Sequence, residues 1–242
     1  MALDHGHHEG HHEAHHHGPR TLPTLLTAPD FVKVWQTRAL AFAAVFAALS
    51  LVFLAFGQNG RDHLERAYLM GFMMCFNFCG GALALLMVQY LSGGKWGLIL
   101  RRPLEAMTRT IGLVIVMMLP IFLFWKNLYL WAAYPTLSAT MDAYHQGFIT
   151  QEQEICMNLK RLMLSPGPAI IQAILVLGFM FAVITMLNKW SIARDADPAA
   201  GTTGSFDKWR VTFENLAGPC TLLYVIAMTD FVIVFLKSLD VT

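Results

Sequence analysis

The chain has 242 residues, of which 56% are hydrophobic and only 14% are charged, and its mean hydropathy is +0.50. This composition is too apolar for an ordinary soluble domain of this length and indicates an integral membrane protein. The net charge of +1 gives no basis for nucleic-acid binding, so no nucleic acid is expected as a partner.

The first twenty residues form a polar segment that is dominated by histidine. Eight histidines lie in it: His5, His7, His8, His11, His12, His15, His16 and His17. Because glycine and glutamate are interleaved, we predict a disordered arm over 1–20, with weak metal binding by the imidazoles as the alternative. Residues 21–38 follow as an amphipathic lead that we expect to lie on the membrane surface, with Trp35 at headgroup level.

Five apolar runs follow the lead, each close to the length that a bilayer core requires. They predict a five-span membrane domain over 39–242, with spans at 39–56, 67–91, 110–125, 169–187 and 219–236. The polar segments 57–66, 126–168 and 191–218 are predicted connections, the second with a short interfacial helix over 150–163. Pro120 is expected to kink span 3. Small residues at 79–84 predict close packing of span 2, and Asn77 an interhelical hydrogen bond.

The stretch 91–120 joins spans 2 and 3 and organises the predicted topology. Four basic residues stand here against one carboxylate: Lys95, Arg101, Arg102 and Arg109 against Glu105. Such an excess of positive charge beside spans is typical of a cytoplasmic loop. With the N-terminus inside, eleven lysines and arginines lie on the cytoplasmic side and six on the other, which favours that orientation.

Charged residues near the spans are the candidates for chemistry, because a charge at the bilayer centre costs about 3 kcal/mol on insertion scales. Asp230 lies near the middle of predicted span 5. One interpretation is a proton-relay carboxylate; the other is a carboxyl that is neutral or hydrogen-bonded to a neighbouring helix.

A second set of candidates lies where span 2 ends and span 3 begins. Arg101, Glu105 and Arg109 are four residues apart and share one face if this stretch is helical. They form either a gate for proton uptake or an ion-pair ladder that fixes the start of span 3, and we prefer the ladder. Gln89 and Tyr90 belong either to a polar opening on the same side or to the membrane interface.

Motifs for a bound cofactor are missing from the sequence. The four cysteines form no CxxC pair, no histidine falls within a predicted span, and there is no Walker A motif. We therefore expect no catalytic site, metal or cofactor of the chain's own.

Several stretches resemble one family of membrane subunits. The stretch GGKWGLILRRPLEAMTRT, followed by LYLWA, and then LNKWSIARD, LAGPCTLLYVIAMTDF and KSLD occur in this order. Together they resemble the ActF-type membrane subunits of bacterial alternative complex III, which belong to the NrfD/polysulfide-reductase membrane-anchor group. The resemblance covers residues 68–240.

The resemblance implies a bundle of spans 2–5 with span 1 as a peripheral helix. It also implies the N-terminal half of a longer arrangement, in a chain that is split or that continues. Family members carry an aspartate near the end of span 5; the aligned position is about Val234, and Asp230 lies one helical turn earlier on the same face.

The family further implies a non-catalytic subunit of a quinol:cytochrome c oxidoreductase in the bacterial inner membrane. Its expected partners are the other subunits of that complex, the lipid bilayer and the quinone pool. Haem c and iron–sulfur clusters are expected in the partner subunits, and quinol is a candidate ligand. The alternatives are a stand-alone transporter or channel component and a purely structural assembly subunit.

Overall fold

The computed structural model describes residues 30–56, 59–93, 97–199 and 203–239. The predicted histidine-rich arm, the first part of the predicted lead and Lys95 lie outside these residues. Within the described part of the chain, regular secondary structure is helical throughout, with no β-strand.

Nine α-helices and one 3-10 turn are found in the described residues. They are α1 Asp30–Phe56, α2 Gly60–Ser92, α3 Gly97–Thr108, α4 Ile111–Leu128, α5 Leu130–Ala133, α6 Leu137–His145, α7 Gln151–Lys160, α8 Pro166–Asp195, α9 Thr203–Phe235 and the turn Lys237–Leu239.

Five of the helical segments are long and apolar enough to cross a membrane. They are Asp30–Val52, Gly60–Ser92, Ile99–Leu128, Pro166–Asp195 and Thr203–Leu239. The predicted all-α integral membrane fold with five spans is therefore confirmed, and the chain is a multi-pass membrane protein.

The chain divides into two units between Val52 and Phe53. Most of α1 belongs to the first unit. This helix is continuous through residue 38, so no break separates the predicted lead from predicted span 1. Its large apolar side chains, such as Leu40 and Phe46, are exposed, as they are in helices whose surroundings are lipid.

The second unit contains a bundle of α2, α4, α8 and α9. The four helices form a ring, in which α2 packs against α4 and α9, and α8 packs against the same two helices. Stacked aromatic rings fill the contact between α2 and α9, where Phe76 and Phe231 lie 4.3 Å apart by their centroids. The four-helix bundle expected from the resemblance is present.

Two ends of the bundle are distinguished below. The basic end is formed by the turn between α2 and α3, the end of α8 and the start of α9. The opposite end is formed by the start of α2 and the ends of α4 and α9. The two ends lie about 50 Å apart if the 33 residues of α2 keep a rise of about 1.5 Å per residue.

The stretch 91–120, which we expected to be a loop, contains the helix α3. Helix α2 ends at Ser92, and Gly93 follows in the left-handed region with φ 60°, where its N–H bonds to the Gln89 carbonyl. This conformation favours glycine and reverses the chain within a few residues. Helix α3 then packs back along α2 before α4 begins.

The predicted polar connection 191–218 is also largely helical. Helix α8 continues two turns past the predicted end of span 4, and α9 begins well before Pro219, which lies inside it. The extensions form because some of their side chains pack into the bundle: Ser191, Phe213 and Ala217 are all buried. The boundaries predicted from hydrophobicity therefore made spans 4 and 5 shorter than the helices α8 and α9 that contain them.

The long connection contains the predicted short helix. Thr150 caps α7 by accepting a hydrogen bond from the Gln153 N–H at 3.3 Å, and Gln153 Oε1 accepts from the Thr150 N–H at 3.1 Å. This reciprocal capping box fixes the start of the helix. The same connection is attached to the end of α9, where Trp131 Nε1 donates to Ser238 Oγ at 3.0 Å.

Three predictions concern the proline in span 3, the small residues of span 2 and Asn77, and their outcomes differ. Helix α4 departs from helical geometry at Phe124, with φ −115° and ψ 15°, four residues after Pro120. Because a proline disturbs the turn that precedes it, this departure is not the kink that was expected from Pro120. Gly80 is the site of close approach on α2, because a Cβ there would lie 2.9 Å from the Tyr224 hydroxyl. Asn77, in contrast, is exposed and has no hydrogen-bond partner among the described residues, so the predicted interhelical bond is wrong.

Candidate functional site

Helix α3 presents one buried face at the basic end of the bundle. Arg101, Leu104, Glu105 and Thr108 are buried, and their spacing of three and four residues places them on one side of the helix. Two of these four residues carry a charge. A buried charge is costly unless it is paired, so the neighbours of Arg101 and Glu105 define the site.

Glu105 is held on both of its carboxylate oxygens. Its Oε1 accepts from Arg101 Nε at 2.7 Å and from the Ser191 hydroxyl at 2.5 Å. Its Oε2 accepts from Arg102 Nη1 at 3.1 Å. Charged donors make these bonds stronger than bonds between neutral groups, so Glu105 is held firmly in place.

Asp195, the last residue of α8, completes the arrangement. Arg101 Nη2 lies 3.2 Å from its Oδ1, and Arg102 Nη2 donates to its Oδ2. Arg101 Nη2 also donates to Ser191 Oγ at 2.5 Å. We name these five residues the charged cluster: Arg101, Arg102, Glu105, Ser191 and Asp195. Two cations and two anions alternate within it, so the formal charge cancels.

The charged cluster runs from the surface of the bundle to its interior. The side chains of Arg102 and Asp195 are 58% and 37% exposed, whereas that of Glu105 is 5% exposed. Removing one partner from such a buried pair leaves an uncompensated charge. The geometry therefore joins α3 firmly to α8 and gives this end of the bundle a polar, partly exposed surface.

Gln89 and Tyr90 are buried at the same end of the bundle. The ring of Tyr90 stacks on Phe213 of α9, with centroids 4.3 Å apart. Its hydroxyl interacts electrostatically with Glu105 and Arg101 but makes no hydrogen bond of normal geometry, and Gln89 Oε1 is also without a partner in the described part of the chain. Both atoms can accept a hydrogen bond from a bound group or water.

Arg109 does not join the charged cluster. Its Nε donates instead to Asn188 Oδ1 at 3.3 Å. Helix α3 ends at Thr108, so Arg109 lies beyond it and the spacing of four residues no longer places its side chain above Glu105. The expected ladder is thus present between Arg101 and Glu105, while Arg102, which the sequence did not single out, takes the second position.

Asp230 lies apart from the charged cluster. It is partly buried on α9, directly beside Phe231, whose ring stacks on Phe76 at the middle of α2. Among the described residues it has neither a hydrogen bond nor an ion pair. The carboxyl is therefore at mid-depth of the bundle, as its position in the sequence predicted.

Asp197 orders the loop next to the exposed side of the charged cluster. Its Oδ2 accepts from Trp209 Nε1 at 2.9 Å and from the Ser205 hydroxyl at 2.8 Å, and its Oδ1 accepts from the Ala199 N–H at 3.0 Å. These bonds, that of Trp209 first, lower the pKa of Asp197 because they favour the carboxylate. The loop is thereby fixed to the start of α9.

Ser191 and Asp195 are the main residues that sequence reasoning missed. They are four residues apart at the end of α8, a spacing that places them on one face. They lie within the stretch LNKWSIARD, so the same stretch that carries the resemblance contains the partners of Arg101 and Glu105. The position of Ser191 and Asp195 within this stretch was the signal by which sequence reasoning could have found them.

Neither a metal site among the described residues nor a match to a known protein accounts for this arrangement. No group of three or more histidine, cysteine, aspartate or glutamate residues suited to a metal ion occurs among residues 30–56, 59–93, 97–199 and 203–239. No family model matches the sequence, and no curated protein matches it. What the site can do chemically is hold mutually compensated charge at one end of the bundle and offer the Gln89 and Tyr90 oxygens as hydrogen-bond acceptors.

Proposed function

We propose that the protein is a non-catalytic membrane subunit of a quinol-oxidising respiratory complex, similar to the membrane subunits of bacterial alternative complex III. It anchors that complex in the bacterial inner membrane with its N-terminus in the cytoplasm, and it contributes a proton half-channel. Haem c and iron–sulfur clusters belong to partner subunits, which exchange electrons with the quinone pool.

The observation that carries the proposal is the composition of the charged cluster. Arg101, Arg102 and Glu105 come from one stretch of the resemblance, and Ser191 and Asp195 come from another, 90 residues away. Two stretches that were singled out independently therefore meet in one buried ion network. Residues that share a tertiary role in this way support a relationship to the family better than either stretch does separately.

The proton half-channel is supported by the placement of the unpartnered groups. The charged cluster reaches the surface at the basic end, and the buried Tyr90 hydroxyl lies next to its members Glu105 and Arg101. Asp230 follows at mid-depth, as a carboxyl with no partner in the described residues. Ionisable groups inside membrane domains commonly mark ion or proton paths. In this proposal the cluster marks the entrance, and Asp230 carries the proton.

Purification from native membranes tests the assembly. We expect the full chain to purify with partners that carry c-type haem and iron–sulfur clusters, seen by optical and paramagnetic resonance spectra. A chain that purifies by itself and moves a solute across vesicles would establish the alternative of a stand-alone transporter.

The half-channel is tested by proton release per quinol oxidised in vesicles that contain the intact complex. Asp230→Asn is expected to lower this ratio while quinol oxidation continues. Asp207→Asn, on the exposed second turn of the same helix, is the matched control and should leave the ratio unchanged. An unchanged ratio in Asp230→Asn would establish a purely structural subunit.

A further inference from the structure

Glu65 is a buried carboxyl at the opposite end of the bundle. It lies in the second turn of α2 and is 6% exposed. Arg61 Nε lies 2.9 Å from its Oε1, and Asn127 Nδ2 of α4 lies 3.1 Å from the same oxygen. Both donors therefore bind one oxygen of the carboxylate.

The second oxygen of this carboxyl lacks a partner. Glu65 Oε2 is inaccessible to solvent and forms no hydrogen bond within the described part of the chain. A buried acceptor that is left without a donor costs about 1–3 kcal/mol, and the cost is greater for a charged group. An anionic Glu65 is therefore under-compensated at Oε2, and this oxygen is where a proton can bind.

The surroundings leave the charge of Glu65 poorly balanced. Arg61 is the cation in direct contact, and its side chain is 73% exposed, so water screens much of its charge. The other titratable side chains on the elements packed at this end are exposed: Asp62, His63, Arg66, Lys126 and Lys237. Glu65 thus has one weakly held cation, where Glu105 has two.

We propose that Glu65 is a proton-binding site at the opposite end of the bundle, where Oε2 binds a proton while Oε1 keeps its bonds to Arg61 and Asn127. The change involves one proton and no electron. This inference deepens the proposed function, on which its role as the outer group of a proton route rests. The next polar group inward along the same contact is Tyr68, one turn further along α2, whose hydroxyl donates to the Met117 carbonyl of α4 at 2.9 Å.

A hydrophobic carbodiimide tests the site, because it reaches carboxyls inside membrane proteins and reacts only with the protonated form. The full chain in lipid nanodiscs is treated with dicyclohexylcarbodiimide between pH 5 and pH 8, and modified peptides are quantified by mass spectrometry. We expect an adduct on Glu65 whose yield falls as the pH rises, and complete loss of that adduct in Glu65→Gln.

Two controls make the result specific. Glu214→Gln, which removes a surface carboxylate paired with Arg210, should leave the adduct on Glu65 unchanged. Asn127→Leu removes one donor from Oε1, so the labelling of Glu65 should persist to higher pH because the anion has lost a hydrogen bond. This second variant also tests the proposal if Glu65→Gln fails to fold.

Three results would overturn the proposal. The first is the absence of an adduct on Glu65 at every pH, and the second is a yield that does not depend on pH. The third is protection of Glu65 by sodium but not by potassium at constant pH, which would establish a cation site. Labelling is measured on the isolated chain, whereas co-purification and proton release are measured on the complex, so the two proposals fail independently.

Discussion

The two ends of the bundle each contain a buried glutamate, and the two differ in how their oxygens are bonded. Glu105 receives three donors distributed over both oxygens, and two of these donors are arginines. From the described residues, Glu65 receives two donors on a single oxygen and none on the other. Their residual exposures, 4% and 6%, are nearly the same.

The difference teaches that burial does not decide what a membrane carboxyl does. A carboxylate with donors on both oxygens is stabilised as an anion, and losing its charge would leave two arginines uncompensated. The bonds of Glu105 fix the position of α3 against α8, whereas the proposals above give Glu65 and Asp230 the role of binding a proton.

The largest effect is expected at Glu105, whose two carboxylate oxygens both accept hydrogen bonds. Glu105→Gln should lower the free energy of unfolding by about 3–5 kcal/mol, because Arg101 then keeps its charge in a buried site without its main partner. The measurement is denaturant unfolding of the purified chain in detergent micelles.

A double variant separates charge pairing from packing. Arg101→Met combined with Glu105→Met should recover much of the lost stability, since apolar residues of similar size often replace a buried ion pair without loss. If the double variant is as unstable as Glu105→Gln, the cluster is not held by the mutual compensation of these charges.

An intermediate effect is expected at Gly80 of α2. Gly80→Ala should cost about 1–3 kcal/mol, because the new methyl group would meet the rigid Tyr224 side chain at 2.9 Å and overpack the contact with α9. Gly81→Ala is the matched control, since a Cβ there meets nothing within 4 Å and alanine favours a helix by about 1 kcal/mol. Equal stabilities for the two variants would contradict close packing at Gly80.

A smaller effect is expected at Glu65, whose Oε2 has no hydrogen-bond partner among the described residues. Glu65→Gln should lower the free energy of unfolding by about 1–2 kcal/mol, because the amide oxygen can still accept from Arg61 and Asn127, while the amide N–H groups that replace Oε2 are buried without an acceptor among the described residues. The same micelle experiment gives the value. A loss as large as that of Glu105→Gln would remove the contrast between the two ends.

The smallest effect concerns the loop beside the charged cluster. Because the pKa of Asp197 is lowered in the folded chain, its contribution to stability is present above the usual aspartate value, near pH 4, and is lost as the pH falls through the lowered value. Hydrogen exchange in the loop around residues 196–199 should therefore accelerate on acidification below about pH 4. Asp197→Asn should show little of this pH dependence, and an unchanged acceleration in that variant would assign it to another group.

Local patterns predicted much of the fold and part of the site. Five apolar runs gave five membrane spans, and the Thr150–Gln153 spacing marks the start of α7. The spacing of Arg101 and Glu105 predicted their ion pair. Each of these features depends on residues that are close together in the sequence, either along a helix or within one apolar segment.

The sequence by itself therefore determined the membrane class, the number of spans and the pairing of charges within α3. Only the tertiary structure decided that Ser191 and Asp195 of α8 complete the charged cluster, that Arg109 is excluded from it, and that Glu65 is buried with a bare oxygen. The physical reason is that the number of donors around a carboxylate depends on neighbouring helices. Which helices are neighbours is decided by packing across the whole bundle, not by the local spacing of residues.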